Sequence, residues 1–170
     1  MSAPITILTP PRIGTPWPGQ GGIYAGIARG IEADWRLILA TADLGRLAWG
    51  GTRKVAGADN TRDGMVNTRA LAAAKTKHPA AEACAALEVD GHSDFYLPSR
   101  FELALLFANA RDHLKPHWHW SSTQFDASDA WHCGFDFGHQ GNSHKSFEGC
   151  AVAVRRVIAQ SFDPSTGAAC

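Results

Sequence analysis

The residues best equipped for chemistry or contact crowd into one stretch, His117 to Val157. His117, His119, His132, His139 and His144 supply imidazoles, and Asp126, Asp129 and Asp136 supply carboxylates. Ser128 and Asn142 add neutral hydrogen-bonding groups, and Phe125 adds an apolar one. His117-x-His119 places two imidazoles on one strand face, a spacing compatible with Zn²⁺ or Ni²⁺ if His132, His139 or His144 gave a third donor. No acidic or cysteine companion stands at a fixed spacing from them, so the histidines read as contact groups and no cofactor is expected. A serine hydrolase is disfavoured because no G-x-S-x-G elbow exists. Cys84, Cys133, Cys150 and Cys170 match no C-x-x-C spacing and read as free thiols, with Cys84 buried.

A calcium loop is also testable from spacing. Asp59-Asn60-Thr61-Arg62-Asp63-Gly64 begins like one, but the twelfth position from Asp59 is Ala70 where a glutamate is needed. A turn held by Asp side chains bonded to backbone fits better. An irregular calcium site on Asp59 and Asp63 is the open alternative.

The contact groups alternate with Trp118, Trp120, Trp131, Phe135, Phe137, Val152 and Val154, which read as the inner faces of strands. Phe125 to Asp129 reads as the tip loop between two of them, Gly138 to Asn142 as a turn, and Gly149 to Ile158 as the last strand. Upstream, Ile23 to Ala28 and Trp35 to Thr41 predict a hairpin, with Trp17 and Trp49 as separate anchors. Asn67 is a candidate cap for a helix from Thr68, and Pro79 either kinks that helix or begins the next. Ser99 and Glu102 form an S-x-x-E capping box for a helix carrying Leu103, Leu106, Phe107 and Ala110. Residues 1–22 form a Pro/Gly-rich arm, 23–158 the domain, and 159–170 a flexible tail.

Composition narrows the partners. Sixteen basic and sixteen acidic residues leave no net charge, without the basic excess that nucleic-acid binding requires. No apolar run reaches the roughly 18–20 residues of a membrane span, and no secretory signal is visible. The expectation is a chain made in a cytosol, with neither nucleic acid nor membrane insertion.

Four motifs occur in an order that resembles a known family. They are Gly22-Ile23-Tyr24-Ala25-Gly26; Asp63-Gly64 with Asn67-Thr68; Asp94-Phe95-Tyr96-Leu97-Pro98-Ser99 with Glu102-Leu103; and Trp120-Ser121-Ser122-Thr123. In this order the chain resembles the Lcl C-terminal domain family over roughly Gly14 to Val157. That family occurs in bacterial surface proteins and tailed-phage structural proteins. The resemblance implies an α+β, C-type-lectin-like domain with two helices and a small twisted antiparallel sheet, close to the formylglycine-generating-enzyme variety. It implies ligand display by the C-terminal strands and loops, a region diversified by retroelements in some relatives.

The expectation that follows is a non-enzymatic recognition module: a bacteriophage tail or tail-fibre protein that contacts a bacterial surface protein or glycan. The contact set would be His117, His119, Phe125, Asp126, Ser128, Asp129, His132, Asp136, His139, Asn142 and His144. The arm would meet other virion tail proteins, and the chain could form a homo-oligomer such as a trimer. It would reside in the virion, assembled in the host cytoplasm, or alternatively in the bacterial cytoplasm. Two alternatives follow from the same resemblance: a decoration subunit that binds no receptor, and an oxidase of the formylglycine-generating type using Cys133 and Cys150.

Overall fold

A computed structural model describes residues 8–159. The first seven residues of the arm, the tail beyond Ala159 and Cys170 lie outside the described residues. The described chain is an α+β protein with three α-helices and nine strands in two sheets, where two helices and one sheet were expected.

The apolar run Ile23-Tyr24-Ala25 and the run Leu37-Ile38-Leu39 form the expected hairpin, β2 (Gly22–Ala28) with β3 (Trp35–Leu39). Strand β1 (Pro16–Trp17) extends it on one side and β9 (Val154–Ile158) on the other, all antiparallel. The end of the expected arm, at Pro16–Trp17 and Gly22, is therefore part of the sheet. Trp17 is buried with its ring edge-on to Tyr24 at 5.3 Å. The β2 ladder slips at Gly26, whose φ of 105° is a left-handed geometry that suits glycine. A Cβ there would approach Asn109 Nδ2 to 2.9 Å, and that same amide donates to the Ala25 carbonyl at 2.8 Å.

The second sheet runs β4 (Arg46–Ala48), β8 (Glu148–Cys150), β5 (Trp118–Gln124), β6 (Asp129–Gly134), β7 (Gln140–His144). The expected turn over Gly138 to Asn142 is in part strand β7, and the chain reverses earlier, at Phe135 to Phe137. Gln-Gly-Asn-Ser-His has no apolar alternation because β7 is an edge strand. The expected last strand is split into β8 and β9, which belong to different sheets.

Helix α1 (Gly64–Ala72) starts three residues before the expected cap. Asp63 takes that role, its carboxylate accepting from Val66 N at 3.1 Å. Asn67 turns inward instead, donating to Asn60 O, Ser122 Oγ and Thr123 Oγ1, so tertiary bonding outweighed its capping preference. Pro79 opens α2 (Pro79–Ala85) at its first position, and Cys84 is fully buried beneath it. The capping box forms on α3 (Arg100–Ala110) as expected.

Two cores result. The first packs Leu103, Leu106 and Ala110 of α3 against Ile23, Ala25, Leu37, Leu39 and Val154. The second gathers Trp49, Leu71, Cys84, Leu97, Trp120 and Ala151 under α1 and α2. Strand β5 lies between them.

Candidate functional site

The β5–β6–β7 meander positions the contact groups, and its pleat sorts them. Register pairs Asp129 with His144, Trp131 with Asn142, and Cys133 with Gln140. Because side chains alternate across a strand, these six share one face, and Ala130, His132, Gly141 and Ser143 share the other. Ala130 lies in the second core, so the His132 face looks inward. The His132 ring sits 5.0 Å from that of Trp118, and Nε2 meets Ser143 Oγ at 3.0 Å. Its burial lowers its pKa. His132 is therefore a half-buried packing group, which corrects its place in the contact set.

His119 requires a larger correction. It is 2% exposed. Trp118 and Trp120 do point the opposite way, but β5 is a central strand with a core on each side, so alternation gives it no solvent face. The imidazole packs on Phe135 at 4.6 Å, and its Nδ1 lies 2.9 Å from the His117 carbonyl. Burial pushes its pKa down to about 4.

That shift sets a pH dependence. The unfolded imidazole titrates at its ordinary 6.5, so between that value and the folded one the unfolded chain binds more protons. Stability is untouched above the window and falls as pH drops through it, by about 3 kcal/mol at pH 4. Urea unfolding at neutral pH and near pH 4.5 should show this loss in the wild type. A His119→Gln variant should show less of it, whereas an equal acid loss in both would contradict the assignment.

The exposed residues divide between the two ends of the meander. At one end, His117 precedes β5, and Asp136 and His139 occupy the reversal after β6. There the Asp136 carboxylate accepts from Phe137 N at 2.8 Å and lies 3.8 Å from His139 Nδ1. Phe137 is 87% exposed. The expected inward alternation of Phe137 fails because β6 ends at Gly134, before that residue is reached.

At the other end is the tip loop, formed by residues 125–128, with Asp129 of the expected loop already in β6. Asp126 binds its own loop: its carboxylate accepts from Ser128 N at 2.8 Å and Asp129 N at 2.7 Å, which holds its pKa down. Phe125 is half exposed and stands edge-on to the Trp131 indole at 5.1 Å. The guanidinium of Arg100 covers the Trp131 ring, its Cζ 3.6 Å from the centroid. Arg100 Nε donates to Gln140 Oε1 at 2.6 Å, and Arg100 N donates to Thr123 Oγ1. Beside them lie Asn142, exposed, and His144, whose ring is 5.9 Å from that of Phe147, itself 58% exposed.

The structure therefore joins Phe125, Asp129, Asn142 and His144 with Arg100 and Phe147, which the sequence reading left out, and with Trp131, whose expected place on an inner strand face is corrected to the face shared with Asn142. A readable signal existed for Phe147. Like Phe125, it is a lone phenylalanine inside a polar run. Arg100 had none, because it arrives from a helix that only the tertiary fold brings to the hairpin.

Beneath the tip lies Lys145, fully buried. Its ammonium donates to the carbonyls of Arg53 (3.0 Å), Asp126 (2.8 Å) and Ala127 (3.1 Å) and to Gln124 Oε1 (3.3 Å). Its Nζ also sits 4.6 Å from the Trp49 ring centroid.

The thiols are held apart. Cys133 and Cys150 are the register partners of His119 on opposite sides, in β6 and β8. Two strand spacings, roughly 10 Å, exceed the ~7 Å Cα separation that a disulfide spans. Burial raises the pKa of both, Cys133 to about 11, which disfavours the nucleophilic thiolate. Among the described residues, no three His, Cys, Asp or Glu side chains could hold a metal ion together. In the former calcium candidate, Asp63 caps α1 and pairs with Arg156 at 2.9 Å, and Asp59 accepts from Gln124 Nε2. No helix among the described residues is long and apolar enough to cross a membrane.

The sequence matches no family model, and comparison with curated proteins likewise found no match.

Proposed function

We propose that this chain is a ligand-display module of the C-type-lectin-like kind, related to the Lcl C-terminal domain, that serves a bacteriophage tail or tail fibre in attachment. Its target is a bacterial surface glycan or protein, met by the tip end of the β5–β6–β7 meander. One observation carries the reading. Phe125, Trp131 and Phe147 stand with Arg100, Asn142 and His144 on one side of a hairpin whose opposite side is anchored in a core. Rigid aromatics flanked by adaptable polar groups are the composition of a binding surface, and exposed aromatic clusters on a folded scaffold mark interaction sites. The separated, raised-pKa thiols weigh against a paired-cysteine oxidase.

Flow cytometry of fluorescently labelled protein on a panel of bacterial cells tests this. The variant Phe125→Ala, Asn142→Ala, His144→Ala, Phe147→Ala should keep a wild-type near-ultraviolet circular dichroism spectrum and lose at least 90% of cell binding, a loss of more than about 1.4 kcal/mol. Equal binding by the folded variant and the wild type would remove the reading. His119 and His132 are unsuitable for this test because both support the core.

A further inference from the structure

Resting on that reading, we infer that the ligand is a sugar acid whose carboxylate docks on Arg100. The guanidinium is held at two points, by the indole of Trp131 beneath it and by Gln140 Oε1 on its Nε, and the Arg100 backbone N–H donates to Thr123 Oγ1 at the start of α3. No carboxylate pairs with it among the described residues, whereas Arg155 and Arg156 are both ion-paired. With Nε taken by Gln140, the two terminal nitrogens are left for a partner. Their planar fork matches a carboxylate bidentately, and stacking on an aromatic ring removes most of the ordering cost such a contact carries.

The neighbours favour a sugar over an acidic peptide. Asn142 stands opposite Trp131, and Asp129 opposite His144, on the same face as Gln140. This row of amide, carboxylate and imidazole groups complements hydroxyls. The Asp129 carboxylate lacks a side-chain hydrogen bond among the described residues, and its charge repels a polyanionic peptide more than a sugar with a single carboxylate. Phe125 supplies one apolar wall. Asp126 keeps its charge while its carboxylate accepts from Asp129 N and Ser128 N, so it adds to the repulsion of a polyanion.

Titration of the ¹⁵N-labelled full chain with sodium glucuronate tests this, read at the Trp131 indole N–H and the Arg100 Nε–H. Glucose and an oligo-glutamate peptide are the comparison probes. Glucuronate should shift both signals saturably, and glucose should not. Arg100→Gln should weaken glucuronate binding at least tenfold, and Arg100→Lys should weaken it as well, because an ammonium keeps the charge but loses the fork. Equal shifts with glucose, tighter binding of oligo-glutamate, or unchanged affinity in folded Arg100→Gln would each overturn the assignment. Cell binding distinguishes the two levels. If Arg100→Gln binds cells as the wild type does, the sugar-acid inference fails and the display reading stands.

Discussion

Replacing Glu102 by alanine should destabilise the fold by about 4 kcal/mol. The residue is 1% exposed, yet its carboxylate accepts four hydrogen bonds. Oε1 takes Trp35 Nε1 at 2.9 Å and Tyr96 Oη at 2.7 Å; Oε2 takes Gly64 N at 3.0 Å and Ser99 N at 2.8 Å. One side chain thus joins β3, the start of α1, the Tyr96 segment and the cap of α3. Burial raises its pKa against the pull of those bonds, so the site pays for an ionisable group in order to connect four elements. Alanine leaves buried donors without acceptors at about 1–3 kcal/mol each, reduced by whatever water enters. For a chain of this size the melting temperature should fall on the order of 10 °C. Glutamine should cost less but not nothing. In either orientation its amide N–H₂ faces a donor that cannot reverse, the backbone N–H pair of Gly64 and Ser99 or the indole of Trp35. A melting temperature within about 2 °C of wild type for the alanine variant would refute this role.

The second large effect should come from Lys145→Met. Methionine fills similar space but leaves the carbonyls of Arg53, Asp126 and Ala127 around the vacated ammonium position unpaired, while Gln124 Oε1 keeps only its bond from Val55 N. The nearby carboxylates of Asp59, Asp126 and Asp129 lose their compensating charge as well. The expected loss is about 3 kcal/mol, concentrated where the oxygens are. Amides of the 125–128 loop should then exchange with solvent roughly 100-fold faster, while those of α3 change less. Hydrogen exchange read by mass spectrometry separates this local loosening from the global loss expected at Glu102. Unaltered loop exchange would mean that the ammonium does not hold the tip.

These two residues also mark how far the sequence could be read. Glu102 was legible as half of a capping box, because capping is a local signal spanning four residues. Its bonds to Trp35, Tyr96 and Gly64 were not, since they join residues up to 67 positions apart. Lys145 was illegible altogether. A lysine in a polar run reads as solvated until the fold places carbonyls from two loops around it. The β2–β3 hairpin, the Pro79 helix start and the Trp17 and Trp49 anchors were readable for local reasons of periodicity, φ restriction and size.

Failures of the reading followed tertiary context. Alternation along Trp118-His119-Trp120 was correct in direction but silent about a second core, so His119 was placed in solvent. Strand β7 had no apolar pattern to find. Asn67 had the chemistry of a cap and was drawn inward by Asn60 and the Ser122-Thr123 pair. Within the candidate site, the residues seen from sequence were the exposed ones on a single hairpin. Arg100 was missed because its place depends on how α3 docks.

The most direct test of the display reading is a hydrogen-exchange footprint of the protein bound to bacterial cells. Bound protein should show protection at residues 125–131 and 140–147, with the β2–β3 hairpin around Ile31 unchanged. Protection confined to the hairpin and the cleft lined by Ile31, Val66 and Ile158, with the tip end left at its free rate, would contradict it.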